Sequence, residues 1–237
     1  MTRASDTAKL LGAGATILDG TTISTADNTD TLTLKSTDAD ANTGPTLFMQ
    51  RDSASPADGD SIGKISFVAD NDAGEATRFA RIDNQISDAS NGTEDALMFI
   101  TTMIGGTELS RMTLQPTETV FNEESADIDF RVESDNLANA LFVQGSDGFV
   151  GLSSSAPARK LTVNGVGSAA DILLQTTNSG ATASDGFLLE ADTNGDAYVW
   201  SYENANMYFA TNNAEMMRIS TANAGVFIGT TSTSGTV

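Results

Sequence analysis

Tyr198, Trp200 and Tyr202 stand at alternate positions in "DAYVWSYE", so on a strand all three rings would project to one side. Aromatic faces in a row can stack on a sugar ring, or they can pack at an interface between chains. The low aromatic content, 6%, favours the interface, because interiors need these residues most. A second pattern is charged. Glu108 with Arg111 and Glu215 with Arg218 repeat one Glu-x-x-Arg spacing, as interchain ion pairs that fix register or as solvated surface charges. Recurrence within one chain favours register. A third pattern places Asp192, Asn194, Asp196 and Glu203 at positions one, three, five and twelve of a calcium loop. Ala197 stands where that loop needs its sharp-turn glycine and an alternating strand fills its second half, so the stretch reads as a hairpin turn. Asp38 with Asp40, and Asn71 with Asp72, read likewise as turn residues.

Much other chemistry is excluded by composition. The 237 residues include no histidine and no cysteine, which removes the commonest general base, thiolate nucleophiles and the usual zinc ligands. The 32 acids are not spaced so as to select a carboxylate pair for glycan cleavage. No catalytic residue, metal ligand or cofactor is therefore expected, and the protein is not expected to be an enzyme. A formal charge of −20 repels nucleic acid and anionic membranes. No apolar run has the length of a signal peptide or a membrane span, so no membrane insertion is expected.

The elements that must position these residues are strands. Period-two alternation runs through "TLTLKS" (Leu32, Leu34), "KISFVAD" (Ile65, Phe67, Ala69) and "DIDFRVES" (Ile128, Phe130, Val132), separated by Asp-, Asn-, Gly- and Ser-rich turns. In "FLLEADTNGDAYVWSY", Asn194-Gly195 predicts a type I′ hairpin. One short helix is expected, Thr7–Leu11 capped by Ser5. The chain also repeats itself. "TLTLKSTDADANTGPTLFMQ" from Thr31 matches "DILLQTTNSGATASDGFLLE" from Asp171, and "ALMFITTMIGGTELSRMTL" parallels "NMYFATNNAEMMRIST". "GFVGLSSS" at Gly148 returns as "VFIGTTST" at Val226. Two-stranded units of this kind bury too little apolar area alone, whereas three chains meeting at an axis can bury their Leu, Ile, Val, Phe and Met faces together. Gly148 and Gly151 would let the backbone turn sharply and Pro157 would block further pairing, which makes "GFVGLSSSAPARKLTVNG" a corner between strands. The rival reading is an ordinary hairpin loop in a monomeric sandwich.

That corner resembles the repeat carried along phage tail-fibre shafts: glycine, any residue, valine, glycine, isoleucine, glycine, threonine, then proline and Lys-Leu-x-Val. Gly148, Val150, Gly151, Pro157, Lys160, Leu161 and Val163 hold those places, and Ser153 departs from the second glycine. "ELSRMTL" and "AEMMRISTANAGVFIGTT" are similar to the strand that precedes the repeat. The resemblance extends from about Thr31 onward. It implies an all-β, elongated, intertwined homotrimeric β-prism or β-helix shaft. Residues 1–30 would form an N-terminal attachment segment, 31–123, 124–167 and 168–237 three shaft units, the last incomplete.

The implied role is that of a virion structural protein at the phage tail. It would dock on a tail adaptor or nozzle protein through its N-terminal segment and hold a distal region that meets a host glycan or protein receptor. The alternatives are a tail-spike-like glycan depolymerase, a head-attached fibre and a bacterial surface adhesin. Aligning Phe227 on Phe149 sets Val237 opposite Arg159, ahead of the place of Lys160, Leu161 and Val163, so a continuation beyond Val237 is expected.

Overall fold

The computed structural model describes Gly20 and residues 22–222 and 225–229. The helix expected at Thr7–Leu11 lies outside them, as does most of the expected attachment segment. The protein is all-β, with fifteen strands in four sheets among the described residues. The first sheet is an antiparallel meander of β1 (Ser61–Asp70), β2 (Ala76–Asp88), β3 (Asp95–Ile104), β4 (Thr107–Leu114) and β5 (Thr119–Phe121). The second holds β6 (Phe130–Ser134), β7 (Leu137–Val143), β8 (Val150–Leu152) and β9 (Leu161–Val163); β9 returns parallel to β8. The third is β10 (Ala170–Leu174), β11 (Phe187–Ala191) and β12 (Ala197–Ser201), and the fourth β13 (Met207–Thr211), β14 (Ala214–Ser220) and β15 (Gly225–Ile228). Among the described residues each sheet is open, with strands in chain order and two edges that pair with no other strand.

Local chemistry sets the turns. Gly105-Gly106 and Asn212-Asn213 both have two successive positive φ angles, as two-residue type I′ hairpins require. Asn194-Gly195 does not: only Gly195 is left-handed (φ 91°), and Asp192 and Asp196 close a three-residue loop through an Asp192 N–H to Asp196 carbonyl bond of 2.9 Å. The hairpin forms at the expected place with a type I turn plus a left-handed glycine. The Asp192 carboxylate explains the change, because its Oδ1 accepts the N–H groups of Asn194 (2.9 Å) and Asp196 (2.8 Å) and so organises a wider loop.

Strand register builds apolar rows across every sheet. Ile65, Ile82, Ile100, Met112 and Phe121 are successive cross-strand partners over all five strands of the first sheet. Phe130, Val143, Val150 and Leu161 cross the second, Ile172, Leu189 and Val199 the third, and Met207, Ile219 and Val226 the fourth. These rows remain open to solvent: Phe121 is 50% exposed, and Ile65, Ile100, Leu161, Ile172, Leu189, Val199, Ile219 and Val226 are exposed as well. The buried side chains lie on the other faces. Thr101 (3%) and Thr113 (2%) belong to the first sheet's polar face, and Phe142, Leu188 and Phe227 to positions that alternate with the rows.

One expected strand is not there. Residues 22–60 contain no strand, so "TLTLKS" does not form one, and Leu32, Leu34, Leu47 and Phe48 are exposed. A strand needs a ladder partner for its backbone groups, and an alternating pattern does not supply one. Residues 49–51 nevertheless lie along the open edge of β1. The Met49 side chain sits against Gly63, and Arg51 Nη1 reaches Ser61 O and Asp60 Oδ1, each at 3.0 Å.

Candidate functional site

The aromatic residues come together on the third sheet. Alternation along β12 puts Tyr198, Trp200 and Tyr202 on one face, with ring centroids 6.5 and 6.3 Å apart and planes inclined by 66° and 56°. Glu190 lies directly across from Tyr198 and Leu188 across from Trp200; Asp171 and Leu173 continue these rows on β10. Leu188 is buried, whereas Trp200 is 51% exposed. The Tyr202 end is pinned by backbone, since Tyr202 N–H donates to Gly186 O at 3.0 Å and Glu203 Oε1 accepts the Gly186 N–H at 2.8 Å. Glu203 is thereby used at the opposite end of β12 from Asp192 and Asp196, and the four calcium-loop positions are not gathered around a point. The Asp192 carboxyl is held below its usual range, first by the Asp196 N–H and then by Asn194 and Gly195.

The two Glu-x-x-Arg pairs differ. Glu108 and Arg111 are not brought together. Glu108 Oε1 accepts from Arg78 Nε at 2.8 Å, and Arg81 Nη1 stands 3.5 Å from Oε2, so both partners come from β2. Arg111 is the extra residue of a β-bulge between Ser110 and Met112, braced by Glu124, whose two carboxylate oxygens accept the Ser110 N–H at 3.1 and 3.0 Å. Glu215 and Arg218 do meet, at 3.4 Å, and the Arg218 guanidinium also lies over the rings of Tyr208 (5.8 Å) and Phe227 (5.5 Å). No local signal marks Arg78 and Arg81 as partners of Glu108, because they lie about thirty positions away.

The corner residues run from the turn before β8, through β8 itself, into the loop that leads to β9. Gly148 is left-handed (φ 69°) in the turn before β8, and a Cβ on Gly151 would collide with the Ser154 carbonyl oxygen. Pro157 is buried at the loop's middle. Val150 N–H donates to Lys160 O and Asn164 N–H to Leu152 O, both at 2.9 Å, so the chain completes a full turn and runs beside itself. Lys160 caps the return, its Nζ 4.9 Å from the centre of the Phe149 ring. Ser153, at the place of the resemblance's second glycine, adopts φ 60°.

The chain matches no protein-family model and no curated protein sequence.

Proposed function

We propose that this chain is the shaft of a homotrimeric phage tail fibre, a virion component that holds a receptor-binding region away from the particle. The supporting observation is the inverted burial of the four sheets. Each presents a continuous apolar row to solvent and keeps its few buried side chains on the other face. A sheet is stable when its apolar face meets a second layer, and three copies joined along one axis supply that layer for all four sheets at once. The self-returning corner and the fibre-like phrase around it agree with an elongated assembly.

Sedimentation and small-angle scattering on the purified chain test the reading. The expected species has three times the 24.6 kDa chain mass and a radius of gyration well above the roughly 18 Å of a compact monomer of this length. A compact 24.6 kDa monomer overturns it. A mutation that introduces charge into the row, Ile100→Asp, is expected to dissociate the assembly, while Ala73→Asp in the exposed turn between β1 and β2 leaves it intact.

A further inference from the structure

We propose that the face of the third sheet carrying Tyr198, Trp200 and Tyr202 is a carbohydrate-binding site, one that takes neutral or amine-bearing pyranose chains and rejects polyanionic ones. The assignment of this face to the outside rests on the trimeric reading above. Ile172, Leu189 and Val199, with Ala170, Ala191 and Ala197, form the apolar face of this sheet, and the three aromatics project from the opposite one. If the apolar rows turn toward the shared axis, these rings turn away from it.

The chemistry of the face fits a sugar better than another copy of the chain. Asp171 and Glu190 lie in the row that begins at Tyr198, and from Thr162 through Met217 the sequence has no lysine or arginine. Two such faces closing on each other would bring together carboxylates with no cation to pair them, a costly burial. A pyranose meets both features at once. Its C–H faces pack on the rings, and its hydroxyl or ammonium hydrogens donate to the carboxylates. The rings are inclined to one another, so their faces are not used up in mutual stacking. The strand geometry, the buried Leu188 across from Trp200 and the Glu203–Gly186 bond hold the row in place before any ligand arrives. The same absence of cations sets the specificity, because uronates, sulfated sugars and phosphates would meet only carboxylates.

Trp200 is the one tryptophan of the chain, so its emission reports this face directly. The full chain is titrated with hexamers of N-acetylglucosamine (neutral), glucosamine (cationic) and galacturonic acid (anionic). A saturable change in emission with the neutral or the cationic hexamer is expected, and none with the anionic one; which of the first two binds tells whether hydroxyl or ammonium groups are read. Tyr198→Ala, which keeps the reporter, is expected to weaken binding roughly tenfold, and Trp200→Ala to abolish hexamer retention in affinity electrophoresis. Both variants are expected to sediment as wild type does. No emission change with any hexamer overturns the site, as does equal binding of the galacturonate hexamer. Dissociation of the assembly by either substitution overturns it too, because the aromatics would then belong to the interface. A wild-type chain that binds the sugar but sediments as a monomer overturns the trimeric reading and leaves the site standing.

Discussion

Residues 31–121 and 171–228 carry the same succession of sequence phrases but fold differently, and unequal strand arms in the Phe99 and Phe209 hairpins account for their different ion pairs. From Phe99 to Glu108 is nine positions; from Phe209 to Glu215 it is six. An odd difference reverses which strand positions face each other, so the two bulges fall at different residues. Arg111 is the extra residue in β4, and Met216, between Glu215 and Met217, is the extra residue in β14. In the later copy Glu215 and Arg218 therefore share a face and Arg218 pairs across to Tyr208 and Phe227. In the earlier copy Glu108 turns to Arg78 and Arg81 on a strand that the later copy lacks. The strand-forming stretches diverge as well: 171–190 makes β10 and β11, and 31–50 makes no strand. A pattern repeated in sequence specifies faces, and the length of the strand arms leading to two equal two-residue turns decides which faces meet.

The sharpest test contrasts the two arginines. Arg218→Ala removes the partner of a mostly enclosed Glu215 and the cation between two rings, and is expected to lower unfolding free energy by about 2–3 kcal/mol. Arg111→Ala is expected to change it by less than about 0.5 kcal/mol. Denaturant titration of both variants measures the difference, and equal losses would erase the distinction between the copies.

The next contrast concerns the unpaired stretch. Met49 beside Gly63 and Arg51 beside Ser61 correspond to a single antiparallel register on the open edge of β1. In the assembled protein, alternate amides of residues 47–51 are expected to exchange about tenfold more slowly than in the dissociated chain, as one added hydrogen bond on each of them requires. Residues 187–191 are expected to be protected in both states. Hydrogen exchange resolved by peptide decides this; equally fast exchange in both states would show that residues 47–51 gain no ladder.

Smaller effects come from the corners and turns. Ser153 (φ 60°) and Gly229 (φ 67°) follow β8 and β15 at equivalent places. Ser153→Gly is expected to raise the melting free energy by about 1 kcal/mol and Gly229→Ser to lower it by about as much. The smallest effect separates two loops of one design. Asn71 Oδ1 accepts the N–H groups of Ala73 (3.0 Å) and Glu75 (2.9 Å), as Asp192 does in the later copy, but only Asp192 titrates. Its pKa is lowered on folding, so its contribution is complete above the unfolded value near 4 and is lost as pH falls below that toward the folded value. Trp200 emission followed from pH 5 to 2 is expected to show a transition that Asp192→Asn removes. Persistence of that transition in the variant would assign it elsewhere.

Alternation and turn residues are local, and these the sequence alone determined: an all-β chain, the sharing of one face by Tyr198, Trp200 and Tyr202, a hairpin around Asn194-Gly195, and the absence of histidine and cysteine chemistry. Period two places each side chain relative to its neighbours without reference to any other strand. Pairing, register and exposure are nonlocal, and only the tertiary structure decided them. It chose Arg78 and Arg81 for Glu108, left "TLTLKS" without a ladder, brought β9 back parallel to β8, and set the aromatic row on the face opposite Ile172, Leu189 and Val199. The physical reason is that a strand's two faces are equivalent until a partner strand and a covering layer distinguish them, and neither is encoded within the strand itself.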